Sequence, residues 1–374
     1  VNLRAFVAPL ALLSISFTAP ACATLNLYEV QSSHEKPSNV AVYFRVEQGD
    51  GEPVAGLTAE QFNIYEDEEL VSVKESSQTI LNPEVAASHY TLLLVDMSGS
   101  VSESEDAALV GEAAALFTSR IESNNKVAVF AFDGSEKIHK IRGFTASAGS
   151  AESGVGSVAG FQAKDPSTNL NGAVVQGLAE LDAGLEKAEN PLRFGTLVVF
   201  TDGTDRAARV SDDEMLSAVG DTPYEVFAIG LGEEISEEHL DSIGKSGFAL
   251  AKDRTAVAEA FDAVAERIEG ITKSYYLLSY CSPARAGVHD VTIEAVSQDD
   301  EGKEYKGEMT TSFDAEGFDT GCDPNKAPSF DITKGEAVVN PESKRRRLFG
   351  GGSGSSKKSG GKVEAKGSAE AGAK

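Results

Sequence analysis

The chain is poor in positive charge: 33 Lys/Arg stand against 59 Asp/Glu in 374 residues, a formal charge of −26. A folded body of that sign lacks the basic footprint that phosphate backbones require, so nucleic acid is excluded as its partner. The few basic residues are unevenly spread. Residues 344–374 hold nine Lys/Arg and two acids, which leaves the rest of the chain near −33. Histidine is equally sparse. His34, His89, His139, His239 and His289 show no zinc-like spacing, which argues against a transition-metal site. No glycine-rich phosphate loop opens a helix: Gly154, Gly156 and Gly160 are one residue out of step with the dinucleotide pattern. No nucleophile elbow or nearby histidine supports serine catalysis.

Long apolar runs are also missing. The longest near the start, Ala5 to Phe17, is too short to span a bilayer as a helix. With Arg4 before it and the small residues Ala19-Pro20-Ala21-Cys22 after it, residues 1–22 read as an export signal. Cleavage after Ala21 would leave Cys22 first, a pattern that resembles bacterial lipoproteins, although Ala19 stands where such signals usually carry Leu. The expectation is a lipid anchor at Cys22 in the bacterial cell envelope, with a soluble secreted or periplasmic product as the alternative. Cysteine is scarce too: Cys22, Cys281 and Cys322 are the whole set. If Cys22 carries lipid, Cys281 and Cys322 can pair in an oxidising compartment; two unrelated buried thiols are the other possibility.

What is present falls into five stretches: a signal with its lipid site (1–22), an N-terminal β region (23–86), an α/β region (88–270), a C-terminal β region (272–323) and a basic Gly/Ser-rich tail (324–374). In the first β region Val40, Val42, Phe44 and Val46 alternate with polar neighbours, as in a half-buried strand. Gly49 to Pro53 reads as a turn, and Phe62, Ile64, Val71 and Val73 continue the alternation. The segment loosely resembles half of an immunoglobulin-like sandwich. Strands at Ser274–Cys281, Val291–Ala295 and Glu308–Phe313 would supply the other half, with the α/β region inserted between. The tail's composition cannot bury a core, and it is expected to be disordered.

The α/β region alternates strands and helices, which implies a mostly parallel sheet covered on both faces. Ser102 and Glu105 read as a capping box opening a helix with Leu109, Val110, Ala113, Leu116, Phe117 and Ile121 on its apolar face. Lys126–Phe132 and Glu136–Phe144 follow as strands, then a helix from Leu170 to Lys187 and a strand from Thr196 to Thr201. Further elements are a helix capped by Ser211, a strand at Tyr224–Ile229, a helix at Ser236–Gly244, a strand at Phe248–Ala251 and a helix at Thr255–Ile268.

The stretch around which the region is organised is Asp96-Met97-Ser98-Gly99-Ser100, directly after the apolar run Tyr90–Val95. Ligands gather at the carboxyl ends of strands in open α/β sheets, and small oxygen ligands suit a hard cation. Alone, the stretch could equally be a turn capped by Asp96. Two other fragments join it: Thr168 in a loop before a helix, and Asp202 after the second strongly apolar strand. Together they resemble the von Willebrand factor A (VWA) family, whose metal-ion-dependent adhesion site (MIDAS) joins D-x-S-x-S, a Thr and an Asp from three loops. The resemblance covers about half the chain. It implies metal ligation by Asp96, Ser98, Ser100, Thr168 and Asp202, with Asp205 as a supporting acid or an ordinary loop acid. The cation is expected to be Mg²⁺, with Mn²⁺ or Ca²⁺ as alternatives. The implied function is non-enzymatic binding of a protein ligand that offers an Asp or Glu to the metal. A metal-site subunit of a larger enzyme or assembly machine, or a structural envelope protein with a stabilising metal, are the competing readings.

Overall fold

A computed structural model describes residues 23–146, 158–299, 302–330 and 347–349. The export signal with Cys22, residues 147–157 and most of the tail lie outside the described residues. The described chain runs β1 (Ala23–Glu35), β2 (Asn39–Gln48), β3 (Phe62–Glu66), β4 (Glu69–Leu70), β5 (Thr79–Leu81), β6 (Ala87–Asp96), α1 (Gly99–Ser102), α2 (Asp106–Ile121), β7 (Lys126–Phe132) and β8 (His139–Thr145). It continues with α3 (Leu170–Leu185), β9 (Leu192–Thr201), α4 (Asp212–Asp221), β10 (Glu225–Leu231), α5 (Glu237–Ile243), β11 (Gly247–Ala251) and α6 (Val257–Lys273). The last strands are β12 (Tyr275–Cys281), β13 (Val288–Gln298), β14 (Glu304–Asp314) and β15 (Arg347–Phe349).

Two sheets organise these elements. The first has the order β15-β11-β10-β9-β6-β7-β8, parallel throughout except for the antiparallel edge strand β8. Its central strand β6 is buried on both faces, which is why Leu92, Leu93, Leu94 and Val95 form an unbroken apolar run. Helices α2 and α6 cover one face and α3, α4 and α5 the other, each burying its own apolar cluster. The chain leaves β6 for β7 on one side and later returns to β9 on the other. The strand order therefore reverses at β6, and the crevice at the carboxyl ends of β6 and β9 is the place where such sheets put ligands.

The second sheet interleaves the two β regions in the order β4-β3-β13-β14-β1-β2-β12-β5. Strand β12 from the C-terminal region lies between β2 and β5, and β13 pairs with β3. The α/β unit is thus inserted into one β unit. The long sheet curls over a single core, with Phe44, Phe62 and Tyr276 in mutual contact at ring centroids 5.4–5.8 Å apart. Cys281 at the end of β12 is bonded to Cys322, with Cα atoms 5.7 Å apart.

Several local expectations need correction. Strand β2 is buried on both faces, not on one. Val42, Phe44 and Val46 enter the β core, whereas Ala41 and Tyr43 face the α/β unit, with Tyr43 stacked on Phe194. Arg45 is fully buried at this junction between Glu47 (2.8 Å) and Glu225 of β10 (3.4 Å). A polar residue on such a strand marks a second packed unit. The helix expected from Ser102 begins at Asp106, its first N–H received by the Ser104 hydroxyl at 3.1 Å. Leu109 and Leu116 lie on its exposed face. The tail is not structureless over its described part. Residues 323–330 lie along β1 and β2, where Glu35 accepts from Ser329 N–H at 2.6 Å, and Phe330 is buried in the α2–α6 cluster. Arg347–Phe349 then add β15 beside β11. Its three residues sit within a basic, glycine-rich composition that hides a strand.

Candidate metal centre

The apolar register of β6 delivers Asp96 to the strand end, where its side chain is fully buried. Its Oδ1 accepts from the N–H of Ser98 at 3.0 Å, which turns the chain out of the sheet, and its Oδ2 accepts from the Thr201 hydroxyl at 2.7 Å. Ser98 and Ser100 bring their hydroxyl oxygens to 3.3 Å of one another at the start of α1. Gly99 separates them for a steric reason: its N–H donates to the Pro166 carbonyl at 3.0 Å, and a Cβ here would lie 2.9 Å from the Pro166 ring. That contact ties the serine loop to the loop carrying Thr168.

Thr168 is buried immediately before α3, and its carbonyl accepts from both Arg206 and Ala207 N–H at 2.9 Å. This second tie joins the threonine loop to the Asp202 loop. Asp202 is half-buried at the end of β9, and the Thr201 hydroxyl beside it, donated to Asp96 at 2.7 Å, closes the circuit between the first and third loops. The three loops are therefore joined pairwise, and the five residues lie at one sheet end. Asp205 acts as a brace, accepting from Asn171 N–H at 3.1 Å and Ala208 N–H at 2.8 Å. It thereby caps α3 from a neighbouring loop.

Electrostatics shows what the site lacks. Burial pushes the Asp96 carboxyl up to about 7, the negative charge of Asp202 adds to this, and hydrogen bonds from Ser98 and Thr201 oppose it. Burial also raises Asp202, against the opposing influence of the nearby Ser100 hydroxyl. Two carboxylates thus share an enclosed site whose other donors are neutral hydroxyls. Such an all-oxygen set fits a hard divalent cation, and its five donors leave a six-coordinate ion a further position. Among the described residues no group of three His, Cys, Asp or Glu could hold a metal; in this set three of the five donors are hydroxyls.

Two residues of the site are not evident from the motif. Thr201 holds Asp96, and the sequence signal is a hydroxyl beside Asp202 at the end of an apolar strand. Asp133 ends β7 just as Asp96 and Asp202 end their strands, but its oxygens are already engaged. It accepts from Ser135, Lys164 and Asp165 N–H at 2.8, 2.7 and 3.3 Å and faces His139 at 3.3 Å. Against the cost of burial, these bonds hold its carboxyl at about 2. Its role is to shape the loop leading to Thr168: Asp133 O also accepts from Asn169 N–H at 3.0 Å.

No protein-family model and no curated protein matches the sequence. Solved structures are similar to it in part, at low identity. A von Willebrand factor type A protein from Catenulispora acidiphila is 11% identical, with 78% of this chain and 73% of that one covered at a TM-score of 0.42. Proximal thread matrix protein 1 from the mussel byssus, with a zinc-occupied MIDAS motif, is 14% identical at a TM-score of 0.40. That match covers 49% of this chain and 48% of the mussel protein. The vWF domain of the type V pilus tip protein Mfa5 from Porphyromonas gingivalis is 11% identical, with 50% and 97% covered at a TM-score of 0.38.

Proposed function

We propose that this protein is a non-enzymatic interaction module that captures an acidic side chain of a protein partner through a divalent cation, with Mg²⁺ as the physiological ion. The observation that carries the reading is the pairwise tying of three loops around two buried or half-buried carboxylates and three hydroxyls at the switch point of the sheet. Asp96 and Asp202 supply negative charge; Ser98, Ser100 and Thr168 supply neutral oxygen. A bound cation offers an open coordination position to an incoming carboxylate. An acidic protein then binds an acidic residue locally, despite a repulsive overall field. The pairwise ties fix the donors before the cation arrives, so little ordering cost falls on binding.

The exported signal at 1–22 and the Cys281–Cys322 disulfide support a location outside the reducing cytoplasm, with lipid at Cys22 as the anchor. No described helix is long and apolar enough to cross a membrane. The test of function is a pull-down from envelope extracts with Mg²⁺, with chelator, and with Asp96→Ala. Retention of a partner that is lost under both perturbations supports the reading; retention indifferent to all three refutes it. Loss of membrane association in Cys22→Ala tests the anchor separately.

A further inference from the structure

The mouth of the metal site carries an ion pair that the five-residue constellation does not use. Arg206 lies on the Asp202 loop, four residues beyond the acid, with its backbone N–H fixed to the Thr168 carbonyl at 2.9 Å. Its guanidinium bonds Glu234, which projects from the loop after β10. The pair arches over the turn beside Asp202. An atom in the Cβ position of Gly203 would lie 3.9 Å from Glu234 Oε2, and both charges act on the Asp202 carboxyl. Both side chains are well exposed, 60% for Arg206 and 68% for Glu234. An exposed pair is weakly held and is readily exchanged for another carboxylate.

The other arginine of this loop has a different task. Arg209 donates through Nε to the Gly134 carbonyl at 2.7 Å and through Nη2 to Asp165 at 3.3 Å, stapling the loops after β7 and before α3. Arg206 therefore combines a backbone anchored at the seam of the threonine and aspartate loops with a head group free to change partners. The planar fork of an arginine matches a carboxylate in bidentate fashion, which a lysine does not.

Resting on the proposed cation-mediated capture, we propose that Arg206 is a second contact for the ligand: one acidic group binds the cation while a second acidic group displaces Glu234 from Arg206. The ligand class is an extended segment with two closely spaced acids, since residues two apart on one face of a strand are separated by about 7 Å. In the free protein Glu234 occupies the arginine and screens it. This makes the site selective: a singly acidic segment engages the cation alone and leaves the Arg206–Glu234 pair closed.

The test uses three synthetic peptides of sequence Gly-Asp-Ala-X-Gly, with X as Asp, Asn or Lys, titrated calorimetrically into the full chain in Mg²⁺ and in chelator. The doubly acidic peptide should bind wild type about five- to tenfold more tightly than the Asn peptide. Arg206→Ala should reduce that ratio to about 1, whereas a merely structural role would change the affinity of both peptides alike and leave the ratio standing. Arg206→Lys should restore part of the ratio, and Glu234→Gln should raise it by freeing the fork. An unchanged ratio in Arg206→Ala overturns this inference alone and leaves cation-mediated capture standing. A preference for the Lys peptide that Glu234→Gln abolishes also overturns it, because Glu234 is then the second contact. Magnesium-independent binding, or none by any peptide, overturns both readings.

Discussion

Replacing Asp96 by Asn should stabilise the metal-free protein and at the same time abolish its response to Mg²⁺. Geometry permits the exchange. The Asn oxygen still accepts from Ser98 N–H, and its amide can donate to the Thr201 hydroxyl, whose own proton then turns from residue 96 to the Gly203 carbonyl at 2.9 Å. What changes is charge. The Asp96 carboxyl stands at about 7 in the folded chain against 3.8 for an unperturbed aspartate. A raised carboxyl favours folding only while protonated in both states, so its ionisation weakens the metal-free fold as pH rises between those values. Through that linkage the penalty is about 2 kcal/mol at pH 5 and about 4 kcal/mol at pH 8. The stability difference between Asp96→Asn and wild type, measured in chelator, should therefore grow by about 2–3 kcal/mol from pH 5 to pH 8. Titration of groups remote from the site, His89 among them, cancels in that comparison. For the α/β unit this is a melting-temperature difference growing by about 5–10 °C. Magnesium at a hundredfold excess over its dissociation constant should stabilise wild type by about 2.7 kcal/mol and the variant not at all. Differential scanning calorimetry at the two pH values reads all of this. A metal-free variant less stable than wild type at pH 8, or one that Mg²⁺ stabilises equally, would refute the reasoning.

Other outcomes follow from the same structure. Arg45→Ala leaves Glu47 and Glu225 facing each other in a buried seam and should cost about 3–5 kcal/mol in urea unfolding, whereas a surface arginine such as Arg285 should cost under about 0.5 kcal/mol. The Cys281–Cys322 bond closes a separation of 41 residues, so Cys281→Ser with Cys322→Ser should lower stability by about 4 kcal/mol at 25 °C on the chain-entropy estimate. Burial holds the His89 imidazole down at about 4 against an ordinary 6.5, and its ring stacks on Phe194 at 4.8 Å. Its contribution to stability is complete above 6.5 and is lost as pH falls toward 4; His89→Phe should remove that part of the acid sensitivity, to be read as a flatter stability profile over this range.

The sequence made the candidate site legible because each acid follows a buried strand, and a run such as Leu92–Val95 can be read without knowing its neighbours. The same logic at Asp133 signals a strand-end acid, but only the structure reveals that three backbone donors and His139 face it. Capping signals were reliable where the side chain had no competitor: Ser211 accepts from Glu214 N–H and Ser236 from His239 N–H, opening α4 and α5. They failed at Ser102, because Ser98 starts the separate turn α1 and Ser104 serves α2 instead. The alternation in β2 gave the β-core face correctly and concealed the other. Tyr43 and Arg45 look like solvent-facing residues until β9 and β10 are packed over them. Strand β15 was illegible because a sheet edge can be paired by almost any short extended segment, and backbone bonds rather than side-chain pattern define it.

The central claim is that these five residues hold a cation with a place open for an acid from a partner. Water-proton relaxation with Mn²⁺ as the probe tests it most directly, since a bound ion that keeps exchangeable water enhances relaxation. The account predicts enhancement with wild type, none with Asp96→Ala, and a fall when an aspartate-bearing peptide takes a water's place on the ion. Enhancement that survives Asp96→Ala, or that the peptide leaves unchanged, would contradict it.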